Sequence, residues 1–152
     1  MSGNEGGGIR GRGRGSLILV NSTITGNRGS GSGGISVEEG STAQMVNTMI
    51  FGNYAWLGES CGRGFQVNII SKGHNLLAGM LICDLELGTG DLLGADAGLG
   101  PLQDNGGSTF THALLPGSRA IDAGDSASCL ATDQRGVSRP QGAAYDIGAY
   151  ER

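Results

Sequence analysis

A chain of 152 residues is sized for one domain with a single core, and 31 of its residues are glycine against only 3 prolines. A net charge of −4 and a sequence pI near 5.0 speak against general affinity for nucleic acid, whose phosphates require a positive surface. Glycine without a G-X-Y period excludes collagen, and the supply of Ile, Leu and Val excludes a simple disordered linker.

The first residues, "MSGNEGGG", have neither a basic n-region nor an apolar core, so no secretory signal is expected, and Gly6–Ile9 already reads as the middle of a repeat. No stretch approaches the 18 or so consecutive apolar residues of a membrane-spanning helix. In "IRGRGRGS", Arg10, Arg12 and Arg14 alternate with glycine; a solvated, mobile arginine loop is expected there, with a grip on an anion or an RNA strand as the alternative.

A repeat follows. Gly6–Asn27 laid over Ser32–Asn53 without a gap gives eight identities in 22 positions, among them Val20/Val46, Asn21/Asn47, Ile24/Ile50 and Asn27/Asn53. A period of about 26, broken by glycines and rich in short alternations, fits one coil of a parallel β-helix of roughly three strands of 4–6 residues. Equivalent residues then stack, with Leu17 over Ala43, Leu19 over Met45 and Ile24 over Ile50 filling the interior. A third, looser copy is read in "VNIISKGHN". Asn21, Asn47 and Asn68 are candidates for one asparagine ladder, and Asn27, Asn53 and Asn75 for a second.

In "GNYAWLGES", Tyr54 and Trp56 fall in a loop between coils and are candidates for stacking on a sugar ring, or for a local packing cluster. Cys61 and Cys83 lie 22 residues apart, close to one coil, and are the candidate disulfide, leaving Cys129 free. The repeat then fades. "GTGDLLGAD" faintly resembles a calcium-binding nonapeptide, but one imperfect copy lacks the neighbouring turn, so neither a metal nor a cofactor is expected. His74 and His112 have no metal-ligand spacing and read as turn or cap residues. No serine sits in a nucleophile elbow.

The motifs "NSTITGN" after a "GGGI" turn, "GHNLL", "GPLQDNGGSTFTHALLPGSRAIDAG" and "TDQRGVSRPQGAAYDIGAYE" resemble the C-terminal part of bacterial surface and secreted proteins with right-handed parallel β-helix repeats. Many of these are of the choice-of-anchor Q domain or polymorphic outer-membrane-protein-like type. The likeness covers nearly the whole chain and is most specific over Gly100–Glu151. It implies a short right-handed parallel β-helix over residues 1–99 and a capping segment over 100–152 of the same domain. It also implies a cell-surface or secreted location and no general enzymatic activity. The family commonly carries a cysteine before "DIGAYE" and another before "TDQRG"; here Tyr145 and Cys129 stand there, so that bridge cannot form.

A solenoid must cover the edge of its last coil. The closing stretch is expected to do so as a plug, with Asp133, Arg135, Arg139 and Asp146 pairing with one another and with turn amides. The alternative is a polysaccharide lyase or glycoside hydrolase fragment, with Asp122, Asp125, Asp133 and Asp146 supplying paired carboxylates. Ice binding is disfavoured because Thr23 and Thr25 align with Met49 and Phe51. No catalytic residue is assigned; the expected partner is a glycan or a surface ligand, with self-association through an uncapped N-terminal coil.

Overall fold

The computed structural model describes residues 1–38, 40–55, 68–78, 85–94 and 96–152. Its first half is a parallel β-solenoid. The first full coil contains β1 (Ile9–Gly11), β2 (Ser16–Val20), β3 (Thr23–Thr25) and β4 (Arg28–Gly29). The second repeats it as β5 (Ile35–Val37), β6 (Thr42–Val46), β7 (Met49–Phe51) and β8 (Tyr54–Ala55). Later coils add β9 (Asn68–Ser71), β10 (Leu76–Leu77) and β11 (Leu92–Leu93). Corresponding strands pair in parallel, giving sheets β1-β5, β2-β6-β9, β3-β7-β10-β11 and β4-β8.

The expected rungs are present: Leu17 lies opposite Ala43, Leu19 opposite Met45 and Ile24 opposite Ile50. Leu19, Ile24, Ile35, Val37, Ala43, Met45, Ile50, Ile69 and Leu77 fill the interior. Period-2 alternation selects these residues, since every second side chain of a strand points inward. Burying an aliphatic side chain of this size contributes about 1.5–3 kcal/mol.

Bends and turns carry their own chemistry. Asn21 and Asn47 turn the corner between β2 and β3 and between β6 and β7 with φ of 42° and 49°, a region asparagine tolerates. In each case the next hydroxyl, Ser22 or Thr48, donates to the carbonyl two residues back. At the turns leading into β1 and β5 the chains approach so closely that side chains do not fit. A Cβ at Gly33 would lie 2.4 Å from the Tyr54 carbonyl oxygen, and one at Gly8 the same distance from that of Gly34. The repeated "GG" is therefore a contact requirement between coils.

Both ladders need correction. Asn27 donates its backbone N–H and its Nδ2 to Asn53 Oδ1 at 3.1 and 2.9 Å, and Asn4 does the same to Asn27 Oδ1 at 3.1 and 2.8 Å. The ladder thus runs Asn4–Asn27–Asn53, towards the N-terminus. Asn75 belongs to a different rung: its Oδ1 accepts from the Thr48 N–H, and its Nδ2 donates to the Gly73 carbonyl, the bond that Ser22 and Thr48 make in their coils. Asn68 lies opposite Thr42 at the start of a strand, and the left-handed bend of the third coil is taken by His74, φ 53°. The cause is one extra residue in that bend: Met45 pairs with Ser71, 26 residues on, but Met49 pairs with Leu76, 27 on.

The N-terminal residues lie along one part of the first coil. The Thr25 N–H donates to the Met1 carbonyl and the Arg28 N–H to that of Asn4. Among the described residues, β1 and β2 pair only with β5 and β6, so their outer edges are open.

Candidate functional site

The region from Leu99 onward begins as an antiparallel hairpin, β12 (Leu99–Gln103) with β13 (Thr111–Leu114), and continues largely as irregular chain. The sequence suggested a plug on the last winding; among the described residues the segment packs against Leu92 of β11 and also reaches back over the earlier coils. It lies lengthwise along the flank formed by the β3-β7-β10-β11 sheet. Ala123 meets the third coil, where its carbonyl lies 2.8 Å from His74 Nδ1. The N–H and carbonyl of Asp125 are held by Asn47 Oδ1 and Nδ2 at 2.7 and 2.9 Å on the second coil. The Leu130 N–H reaches Asn21 Oδ1 on the first, at 3.0 Å. The bend residues therefore do not stack on one another as a ladder; they grip this segment. Their outward-facing neighbours supply its floor: Met49 and Leu76 are fully buried with Ala97, Leu114, Ala120 and Ile147 in a second core.

The expected cap residues come together here, in different pairs. Asp133 Oδ2 lies 2.7 Å from Arg135 Nη2, and the carboxylate also accepts from the N–H groups of Arg135, Val137 and Glu151. The Arg135 guanidinium stacks 3.6 Å from the centroid of the Tyr150 ring. Arg139 pairs with Glu151 Oε2 at 2.8 Å, both side chains fully buried, and donates to the carbonyls of Asp146 and Gly148. Asp146 is not its ion partner: the Asp146 carboxylate accepts from the N–H groups of Asp122 and Arg152. Glu151, not singled out in the sequence, completes the knot by accepting from the N–H groups of Gln141 and Asp146.

Burial pushes the Asp146 and Glu151 carboxyls up, against the hydrogen bonds that favour their charge. Burial also acts upward on Asp133, but the Glu151 N–H, the Arg135 side chain and two further amides outweigh it and hold that carboxyl below its ordinary value. A raised acid gives stability that is complete below its unfolded pKa and is lost as pH rises through the folded one. The Glu151 and Asp146 contributions are therefore complete below 4.5 and 3.8 and fade as pH rises through their raised values. Asp133 acts oppositely, contributing above 3.8 and losing that contribution as pH falls through its depressed value. On lowering pH from neutrality to 4.5, the melting temperature of the native protein should rise relative to that of Glu151→Gln. A difference between the two that stays constant with pH would contradict this.

These carboxylates are therefore occupied by main-chain donors rather than presented to a substrate. The possible metal turn is similarly committed: Asp91 accepts from the Asn75 N–H and Nδ2, Ser71 Oγ and the Gly88 N–H. Among the described residues no group of three or more His, Cys, Asp or Glu side chains is placed to hold a metal. His112 Nδ1 lies 2.8 Å from the Gly100 carbonyl, so it carries the proton and donates. With Phe110 and Tyr150 it lines a small cavity of about 190 Å³, beside a more open one of about 520 Å³ between the first coil and Leu130–Gln134. Sequence pattern did not point to either, because their walls come from segments about a hundred residues apart.

Of the sugar-contact candidates, Tyr54 is 53% exposed on β8, directly opposite the exposed Arg28 of β4. Trp56 and the proposed Cys61–Cys83 bridge lie outside the described residues. Cys129 is a free thiol, pushed up by burial. In the arginine loop Glu38 Oε1 lies 3.0 Å from Arg10 Nη2 and 3.6 Å from Arg12 Nε, both arginine side chains staying largely exposed.

Comparison with protein-family models, with curated proteins and with solved structures finds no match for this chain.

Proposed function

We propose that this chain is a non-enzymatic β-solenoid module of a secreted or cell-surface protein, of the bacterial repeat type its motifs resemble, and that it contacts carbohydrate. The observation that carries this reading is the Arg28–Tyr54 rung: an exposed aromatic ring and a cation stacked on the outer flank of two coils. An aromatic face takes the apolar side of a sugar ring, and an adjacent cation takes its oxygens. Saturation of Asp133, Asp146 and Glu151 by main-chain amides weighs against the lyase or hydrolase alternative, which needs carboxylates free to move protons.

Screening the protein against arrayed glycans should give binding without turnover, and Tyr54→Ala should weaken it several-fold while leaving the melting temperature unchanged. Steady release of unsaturated or reducing sugar ends from a bound glycan would overturn the reading.

The open edges of β1 and β2 also suit pairing with a second copy, and Ile18 on β2 is 67% exposed. Light scattering should show mass rising with concentration, and Ile18→Lys should reduce it. A monomer throughout would refute self-association.

A further inference from the structure

We propose that the arginine flank of the first two coils binds carboxylated polysaccharide, with Arg10, Arg12 and Arg28 holding uronate groups and Glu38 occupying two of these arginines in the free protein. This rests on the carbohydrate-contact reading and names its substrate class.

The charge distribution is uneven. Residues 1–55 carry four arginines against three glutamates, whereas the rest of the chain carries six basic and eleven acidic residues. On the solenoid the arginines gather on adjoining strips. Arg10 projects from β1 opposite Ser36, and Arg28 from β4 opposite Tyr54. The corner between these strips is built of glycine and serine, with the Gly7 N–H donating to the Arg28 carbonyl and the Gly8 N–H to that of Gly33. Glu5, exposed, lies in the chain between Asn4 and Gly7, the two residues whose main chain pairs with Arg28.

Glu38 indicates what the arginines accept. Its single carboxylate is shared between Arg10 and Arg12, whose side chains remain 59% and 69% exposed. Each guanidinium has five N–H donors, so most of their capacity faces solvent. Arg28 makes no ion pair with any described residue. A carboxylate on a sugar matches the geometry that Glu38 already satisfies, and Tyr54 beside Arg28 matches the ring that carries it. Single-stranded nucleic acid fits less well, because it is held by successive aromatic platforms, and Tyr54 is the one exposed aromatic described on this flank.

The test compares galacturonic acid oligomers with neutral galactose oligomers of equal length, by calorimetry at low and raised salt. Acidic oligomers should bind more tightly than neutral ones and lose affinity as salt rises. Arg10→Ala and Arg28→Ala should each weaken acidic binding up to about fivefold. Glu38→Gln should strengthen it, because the competing carboxylate is gone. All three sites are exposed, and equal melting temperatures check that the fold is kept. Equal binding of acidic and neutral oligomers, or acidic binding indifferent to the arginines, overturns the inference and leaves carbohydrate contact standing. Binding of neither kind overturns both. Oligothymidylate bound as tightly as the acidic sugar overturns the inference in favour of a nucleic-acid surface.

Discussion

Arg139→Ala should lower the unfolding free energy by about 3–5 kcal/mol, the range for removing one partner of a buried ion pair. The substitution leaves the fully buried Glu151 carboxylate without its guanidinium and strips a donor from each of the Asp146 and Gly148 carbonyls. Arg139→Lys should rescue little, because one ammonium at the end of a flexible stem does not reproduce a planar fork on three acceptors. Glu151→Gln should cost less than Arg139→Ala, since its amide oxygen still accepts from the Gln141 or Asp146 N–H. Denaturant midpoints measure the series. Equal stability of Arg139→Ala and the native chain would mean that the knot is loosely held.

Asn47→Ala should cost about 2–5 kcal/mol, from two sources that can be separated. One is the pair of hydrogen bonds to Asp125, whose loss leaves a partly buried N–H and carbonyl without partners at about 1–3 kcal/mol. The other is the φ of 49°, which costs alanine about 1–2 kcal/mol. Asn47→Gly removes the bonds and keeps the backbone relaxed, so it should recover about 1 kcal/mol of the loss. If Gly and Ala destabilise equally, the bend is unstrained and the grip on the C-terminal segment alone accounts for the effect. If neither destabilises, the segment does not depend on that grip.

The solenoid was legible because its physics is periodic. Leu17, Leu19 and Ile24 have equivalents 26 residues on, and stacked coils at constant register place those equivalents in contact. Asn75 was misplaced because its identity matched Asn53, while one inserted residue in the third bend shifted its rung. Asparagine is useful at such positions both for stacking and for gripping a crossing strand; Asn27 does the first and Asn47 the second. Type and spacing do not distinguish the two.

The course of the C-terminal segment was less legible, though a signal exists. Met49 and Leu76 stand beside the inward Ile50 and Leu77, so consecutive apolar residues mark a sheet buried on both faces. The alignment of Met49 with Thr23 speaks against ice binding and also marks the floor on which Ile147 packs. The charged closing stretch identified a buried electrostatic knot. Its pairing was not readable, because Arg139 and Glu151 meet through turns whose geometry only the fold supplies.

The stacking itself is open to direct observation in a methyl-resolved NOESY spectrum of the native protein. The Ile50 methyls should show cross-peaks to both Ile24 and Leu77, the rungs on either side of it. Cross-peaks from Ile50 to outward-facing Ile18 or Ile70, with none to Ile24 or Leu77, would contradict the stacked register on which the rest depends.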